Sequence, residues 1–474
     1  MAQRFPFAGR ARELAALEGE RSHGNAFVVL YGRRRVGKTT LIKHFIEDKP
    51  ALYFLASKED DSLNRKRFAQ DAASFTGNSL LANASFDDWR ALFRTIADTL
   101  RDKPYLLVID EFPYLMSSNK AMPSILQYVW DEILAGTGAT LILCGSSVSM
   151  MRDEVLSHES PLYGRRTLQM RLKPLSFDET AELYPSASFE SLVELYTLTG
   201  GVPKYLEFFD PAHEDTLSSI KRNILSTMGF LYEEPEFLLS EETRGTSTNL
   251  SLLRAIALGN RKIGEMATFL RRKATGLSPY LALLVSLGFL ERRTPFTEKY
   301  PDRSKSGLYH VADAFMLFWL TYVQPFQAEL EMGNMRPSLD ALERSFGSSL
   351  VPHEFEVISA QAFARLCTNG AIDFSPRRIG GYWNRSGSLE LDVCAQDSSQ
   401  RKLFLGECKY YEHKPVGMNE YQRLLEKAPL VPGASESEVM FGLFSHTGFS
   451  EELLACARAD KNLVLIDKNK LVEA

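Results

Sequence analysis

Tyr31-Gly32-Arg33-Arg34-Arg35-Val36-Gly37-Lys38-Thr39-Thr40 matches the pattern GxxxxGK[ST] at every fixed position. The apolar run Ala26-Phe27-Val28-Val29-Leu30-Tyr31 leads into it and reads as a buried strand. Leu41-Ile42-Lys43-His44-Phe45-Ile46 leads out with helical spacing. A strand, a glycine-bearing loop and a helix in that order form a phosphate cradle. Gly32 and Gly37 let the backbone turn its N–H groups inward on one phosphate chain. The positive end of the helix adds to that field. Lys38 is the candidate bridge between β- and γ-phosphates, and Thr39 the candidate hydroxyl for Mg²⁺. Gly32, Arg33, Arg34, Arg35, Val36, Gly37, Lys38, Thr39 and Thr40 are therefore the candidate ATP-binding loop. The plain alternative is an ordinary tight strand–helix turn.

Working outward, the 474 residues suffice for about three domains. A hydrophobic content of 45% and a charged content of 24% fit a globular chain. A formal net charge of -5 excludes a uniformly basic nucleic-acid coat, so any such contact needs a local patch. The five cysteines are odd in number and contain no CxxC, which argues against a disulfide framework and for a reducing compartment. Met1 to Arg10 has no apolar signal region. The longest apolar stretch, around Phe315 to Val323, is too short for a bilayer. The expectation is a cytoplasmic protein without membrane contact.

Ala11 to Leu17 reads as an amphipathic helix, either over a nucleotide base or on the surface. Ala51 to Leu55 is a second strand. Ser85 to Leu100 is a helix with Phe86, Trp89, Leu92, Phe93 and Ile96 on one face. Tyr105-Leu106-Leu107-Val108-Ile109-Asp110-Glu111 is an apolar strand ending in two acids, at the edge where α/β sheets bind ligands. Asp110 is the candidate Mg²⁺ holder and Glu111 the candidate base for the attacking water. Ala139 to Cys144 is another buried strand. After it, Ser146 or Ser147 is either a γ-phosphate sensor or a helix cap. Arg165 and Arg166 are either an arginine finger, with Arg165 the candidate, or a solvated pair.

The set GRRRVGKTTL, YLLVIDEFPYL, LILCGSS, SPLYGRR and Gly200-Gly201-Val202-Pro203 resembles the archaeal/bacterial ATPase branch of the AAA+-like, STAND-related P-loop proteins. The resemblance covers roughly the first half of the chain. It implies an additional-strand P-loop sheet and a helical lid from about Ser176 to Phe230. It also implies that Pro203 lies near the nucleotide base, with Lys204 beside it.

Leu250 to Gly307 reads as a winged helix, with helices around Leu250–Ala257, Ile263–Leu270 and Ser278–Leu287 and a strand from Gly288. Between Arg254 and Lys305, eleven Lys/Arg stand against four Asp/Glu, a local excess of seven positive charges. Arg271, Arg272 and Lys273 precede the candidate recognition helix. Duplex DNA is the expected partner, and a protein-docking module the alternative.

The final segment has the order helix (Glu354–Leu366), strands (Ile372–Trp383, Ser388–Cys394, Leu403–Tyr410), helix (Asn419–Ala428), strand (Val439–Ser445), helix after Ser450, strand (Leu463–Asp467). That order resembles the PD-(D/E)XK, or restriction-endonuclease-like, fold. The resemblance rests on Glu356 (Glu354 as second choice), Asp392, Glu407 and Lys409. Two residues apart on a strand, Glu407 and Lys409 share a face. Glu356, Asp392 and Glu407 are the candidate ligands for Mg²⁺ or Mn²⁺, and Lys409 the group that places a water. Leu391 stands where the family's motif has Pro.

The expected fold class is α/β. Residues 1–240 are read as a P-loop three-layer sheet with helical lid and 241–325 as a winged helix. Residues 326–337 are read as a linker and 338–474 as a nuclease-like domain. The expected function is an ATP-hydrolysing, DNA-acting protein with a metal-dependent nuclease-type domain, which by resemblance fits mobile-element or defence biology. A homo-oligomer is compatible with this. The rival is an ATP-driven signalling switch with a protein-docking winged helix and an inactive nuclease fold.

Overall fold

The computed structural model describes residues 5–84, 86–101, 103–243, 245–399 and 401–472. They fall into two compact units. One comprises Gly9–Pro174 with Val202–Lys204. The other comprises the described residues up to Ala8, Leu175–Gly201 and Tyr205 onward.

The first unit is built on a five-stranded parallel sheet: β1 (Phe27–Tyr31), β2 (Ala51–Leu55), β3 (Leu106–Asp110), β4 (Thr140–Gly145) and β5 (Leu168–Arg171), in the order β2-β3-β4-β1-β5. Every residue of β1, β3 and β4 is buried, as continuous apolar runs require when helices cover both faces. β4 pairs with both β1 and β3, so it is the additional strand between the phosphate-loop strand and the acid-bearing strand. β1 turns into the helix Lys38–Ile46 through Gly32, where a Cβ would lie 2.4 Å from the Leu172 carbonyl oxygen. Only glycine permits that approach.

Element ends differ from expectation where burial fades. The first helix runs Ala11–His23, longer than its apolar stripe. The aromatic helix is Trp89–Thr99, so Phe86 precedes it, and Ser85 lies outside the described residues. Helix Asp61–Thr76 and strand β5 carry mean patterns too polar to stand out. β5 is an edge strand of alternating exposure.

In the second unit, the helices Phe177–Glu182 and Phe189–Thr199 share one core with the C-terminal sheet rather than standing with the first sheet. Helices Thr246–Ala257, Ile263–Leu270 and Ala274–Leu287 precede an antiparallel ribbon of β6 (Leu290–Arg293) and β7 (Leu308–Val311). The expected linker 326–337 carries helix Gln327–Glu331 and the start of helix Arg336–Ser345. Helix Val351–Thr368 then leads to β8 (Pro376–Trp383), β9 (Glu390–Asp397), β10 (Lys402–Lys409), β11 (Glu438–Ser445) and β12 (Leu463–Ile466), ordered β12-β11-β10-β9-β8. β8, β9 and β10 are antiparallel neighbours, and β10, β11 and β12 are parallel. Among the described residues no helix is long and apolar enough to cross a membrane.

Phe404 on β10 sets the packing of this sheet. It is fully buried and stacks on Phe363 at 3.9 Å. Gly406 and Gly442, paired in register, leave the space its ring fills. A Cβ on Gly442 would stand 2.2 Å from Phe404 Cζ. Gly442→Ala is expected to destabilise this unit by about 1–3 kcal/mol through overpacking, read as a lower denaturation midpoint. An unchanged midpoint would show that the ring has room to move.

Candidate functional site

The carboxyl ends of β1, β3 and β4 bring the phosphate loop and the two acids together. Lys38 is buried, and its Nζ donates to the carbonyl oxygens of Gly32 (2.9 Å) and Arg33 (2.8 Å). Arg35 and Gly37 take positive φ angles of 73° and 87°, which turn the loop around Lys38. Val36 is buried, whereas Thr40 faces solvent. Arg10, Pro203 and Lys204 meet the loop from outside it. The guanidinium of Arg10 donates to Val36 O (3.1 Å) and Lys173 O (2.7 Å). The ring of Pro203 lies 3.6 Å from where a Cβ on Gly37 would stand, and the Lys204 N–H donates to Arg35 O at 3.4 Å.

Asp110 is fully buried. Its Oδ2 accepts from Thr39 Oγ1 and from Tyr53 Oη, each at 2.8 Å, and its Oδ1 accepts from the Glu111 N–H at 2.9 Å. Burial, then the Asp110 carboxylate, raises the Tyr53 phenol well above its usual range, so Tyr53 serves as a fixed donor. Thr39 and Asp110 present two hard oxygens side by side, a donor pair that suits Mg²⁺.

Glu111 does not continue the strand. It sits at φ 54°, left-handed for a non-glycine residue, a conformation that surrounding contacts must hold. Its Oε2 accepts from Ser146 Oγ (2.7 Å) and the Ser146 N–H (3.3 Å). Of the two candidate serines, Ser146 reaches the acid, whereas the Ser147 hydroxyl lies 3.4 Å from Ser149 Oγ. Arg165 forks onto Asp131 at 2.7–3.0 Å and donates to Pro161 O. Arg166 lies over the Tyr163 ring.

In the second unit, β9 and β10 bring Asp392, Glu407 and Lys409 together. Burial, then Glu407 and Glu356, pushes the Asp392 carboxyl up, and its Oδ2 accepts from the Cys408 N–H at 2.7 Å. Glu407 is buried between two lysines. Lys409 meets its Oε2 and Lys427 its Oε1, each at 2.5 Å. Glu356 lies 3.5 Å from His353. Burial pushes Glu354 up to about 7. Among the described residues no three His, Cys, Asp or Glu side chains are gathered to hold a metal. Of the expected ligand set, Glu407 is thus held by two lysines and Asp392 by a backbone donor, whereas Glu356 faces His353. Lys427 carried no signal in the sequence, because its role depends on the helix Met418–Lys427 lying across β10.

Arg271, Arg272 and Lys273 are all exposed at the junction of helices Ile263–Leu270 and Ala274–Leu287. Arg271 closes the first of these helices at φ 52°, and Arg272 reaches Thr248 Oγ1 at 3.1 Å.

Sheet order and phosphate loop together define an additional-strand P-loop ATPase domain in the first unit. The model of an ATPase domain predominantly from Archaea matches residues 7–209, and that of archaeal and bacterial proteins of unknown function matches residues 319–421. An uncharacterized protein of Methanocaldococcus jannaschii is 33% identical over 456 residues, spanning 96% of this chain and 99% of that one. The chain belongs to the family of that protein. An uncharacterized ATP-binding protein of the same organism is 52% identical over 44 residues, 9% of this chain and 75% of its own. Among solved structures, the Walker-type ATPase of Pyrococcus abyssi has a TM-score of 0.52 at 20% identity, covering 67% of this chain and 97% of that one. That likeness is one of fold.

His310 on β7 is buried and stacks on His353. Burial, then Arg293, Arg261 and His353, pushes its imidazole down to about 2. A histidine depressed in the fold binds its proton only after unfolding, so acid favours the unfolded chain from about pH 6.5 downward. His310→Gln is therefore expected to lose less stability than the parent between pH 6.5 and 4.5, measured as denaturation midpoints. Parallel pH profiles for the two proteins would show that His310 is readily protonated in the fold.

Proposed function

We propose that this protein binds and hydrolyses ATP and uses that cycle to act on DNA. The observation that carries the reading is the adjacency of Thr39–Asp110 and Glu111–Ser146 above the phosphate loop. Lys38 releases its two carbonyls to meet the β- and γ-phosphates. Arg33, Arg34, Arg35 and the loop amides surround the phosphate chain. Arg10 and Pro203 hold the loop from outside, with Pro203 beside the base. Thr39 and Asp110 would hold Mg²⁺, which when bound neutralises phosphate charge. Glu111 orients a water and accepts its proton, and Ser146 holds the carboxylate ready and reports the γ-phosphate. Arg165 acts as a finger only if it leaves Asp131, so it is assigned no step here.

For DNA, the support is the excess of seven positive charges between Arg254 and Lys305 and the three-helix-plus-ribbon order of that stretch, which we read as a winged helix. The order of elements from Val351 onward supports a nuclease-type C-terminal domain. The lysine clamp on Glu407 favours the reading in which this domain keeps that fold and binds without cutting.

Lys38→Ala is expected to abolish hydrolysis and most ATP affinity. Glu111→Gln should keep ATP binding and lower turnover by about 10²–10⁴-fold. Wild-type turnover in Glu111→Gln would remove Glu111 from its role. Plasmid incubated with the full chain in Mg²⁺ or Mn²⁺, with ATP, ADP or neither, is expected to remain uncut. Cleavage that disappears in Asp392→Ala would establish the metal-dependent nuclease with Asp392, Glu407 and Lys409 as its centre.

A further inference from the structure

Tyr53 brings a hydroxyl into the otherwise apolar run Ala51-Leu52-Tyr53-Phe54-Leu55. In the pairing of β2 with β3, Tyr53 lies opposite Val108 and Leu55 opposite Asp110. Residues two apart on a strand share a face, so Tyr53 and Asp110 are diagonal neighbours on one face of the sheet. A phenol is long enough to cross that diagonal, and Tyr53 Oη meets Asp110 Oδ2 at 2.8 Å. The ring also meets helix Lys38–Ile46, where Lys43 Nζ lies 5.5 Å from its centroid. Lys43 stands one turn beyond Thr39 on the same helix face.

Thr39 Oγ1 reaches the same oxygen, Asp110 Oδ2, at 2.8 Å. An ionised carboxylate only accepts, so both hydroxyls donate to it. The Thr39 proton is thereby committed to Asp110, and the lone pairs of its oxygen stay available to a hard cation. The Glu111 N–H holds the other carboxylate oxygen at 2.9 Å, and the buried Cys144 thiol faces the group from β4. With donors on both oxygens, the carboxylate cannot turn away from Thr39 without breaking the Tyr53 bond. A phenol that only satisfied a buried charge would contribute to stability and leave the affinity for a cation unchanged.

We propose that Tyr53 is a positioning residue for the Mg²⁺ that accompanies ATP: through Asp110 Oδ2 it fixes the carboxylate and the Thr39 hydroxyl as one preset pair of oxygens. The inference rests on the ATP reading above and assigns Tyr53 no step on the nucleotide. Groups that hold a metal-binding carboxylate from behind typically govern about 10–100-fold in metal affinity.

The test is equilibrium binding of a fluorescent, non-hydrolysable ATP analogue to the full-length protein, once in EDTA and once in Mg²⁺. The quantity read is the ratio of the two affinities. Tyr53→Phe keeps the ring and removes one oxygen. It is expected to bind the analogue in EDTA as the parent does, and to lose about tenfold or more of the strengthening that Mg²⁺ gives the parent. Thr39→Val and the double variant complete a cycle. Both hydroxyls act through one oxygen, so the double variant is expected to lose less than the product of the two single losses. Lys43→Ala alters an exposed side chain and loosens the ring, and it is expected to lose a smaller part of the same gain. The denaturation midpoint without nucleotide reports the fold separately. An undiminished Mg²⁺ gain in Tyr53→Phe, with or without a lowered midpoint, overturns the proposal. Should Tyr53→Phe show no folding transition, an unchanged ratio in Lys43→Ala does the same. Equal weakening of a folded Tyr53→Phe in EDTA and in Mg²⁺ also overturns it, because the phenol then acts on the loop as a whole. Parent protein that binds the analogue equally in both conditions removes this inference and leaves nucleotide binding standing. Parent protein that binds it in neither sinks the ATP reading itself.

Discussion

A carboxylate with no solvent exposure must have its oxygens hydrogen-bonded, or its burial costs several kcal/mol. Asp110 meets that condition through residues of separate segments, among them Thr39 after the phosphate loop, Tyr53 on β2 and the amide of Glu111 after β3. The first unit depends on this junction. It fixes the start of helix Lys38–Ile46 against the end of β3 and forces the chain at Glu111 into a left-handed turn. That turn aims the Glu111 side chain toward β4, where Ser146 meets it. The same bonds that satisfy a buried charge thus place the Glu111 carboxylate and the Thr39 and Asp110 oxygens beside the loop.

The second unit meets the same problem differently. Glu407 is also buried, but it is satisfied by Lys409 and Lys427 rather than by hydroxyls. Two ammonium groups offset the Glu407 charge directly. The two buried acids therefore differ in the kind of partner that satisfies them.

The phosphate loop was legible in the sequence because all its parts lie within ten residues and between two strongly patterned flanks. Asp110 and Glu111 were legible because an apolar strand ending in acids is a local signal too. The strands of both sheets other than β5 followed from continuous or alternating apolar runs. Edge strand β5 and helix Asp61–Thr76 did not, because each is half-exposed and carries a diluted pattern.

What tertiary structure decided is which side chains meet across long intervals of sequence. Tyr53 becomes a partner of Asp110 only because β2 lies next to β3, and Ser146 rather than Ser147 faces Glu111 only because β4 is inserted between β1 and β3. Arg10 and Pro203 reach the loop from 26 residues before Val36 and from far beyond it. Lys427 neutralises Glu407 across 20 residues, and Arg165 is committed to Asp131 across 34. Sequence by itself determined the local chemistry, since motif and periodicity are properties of neighbouring residues. Partnership among buried charges is a property of strand order and packing, and only the fold decided it.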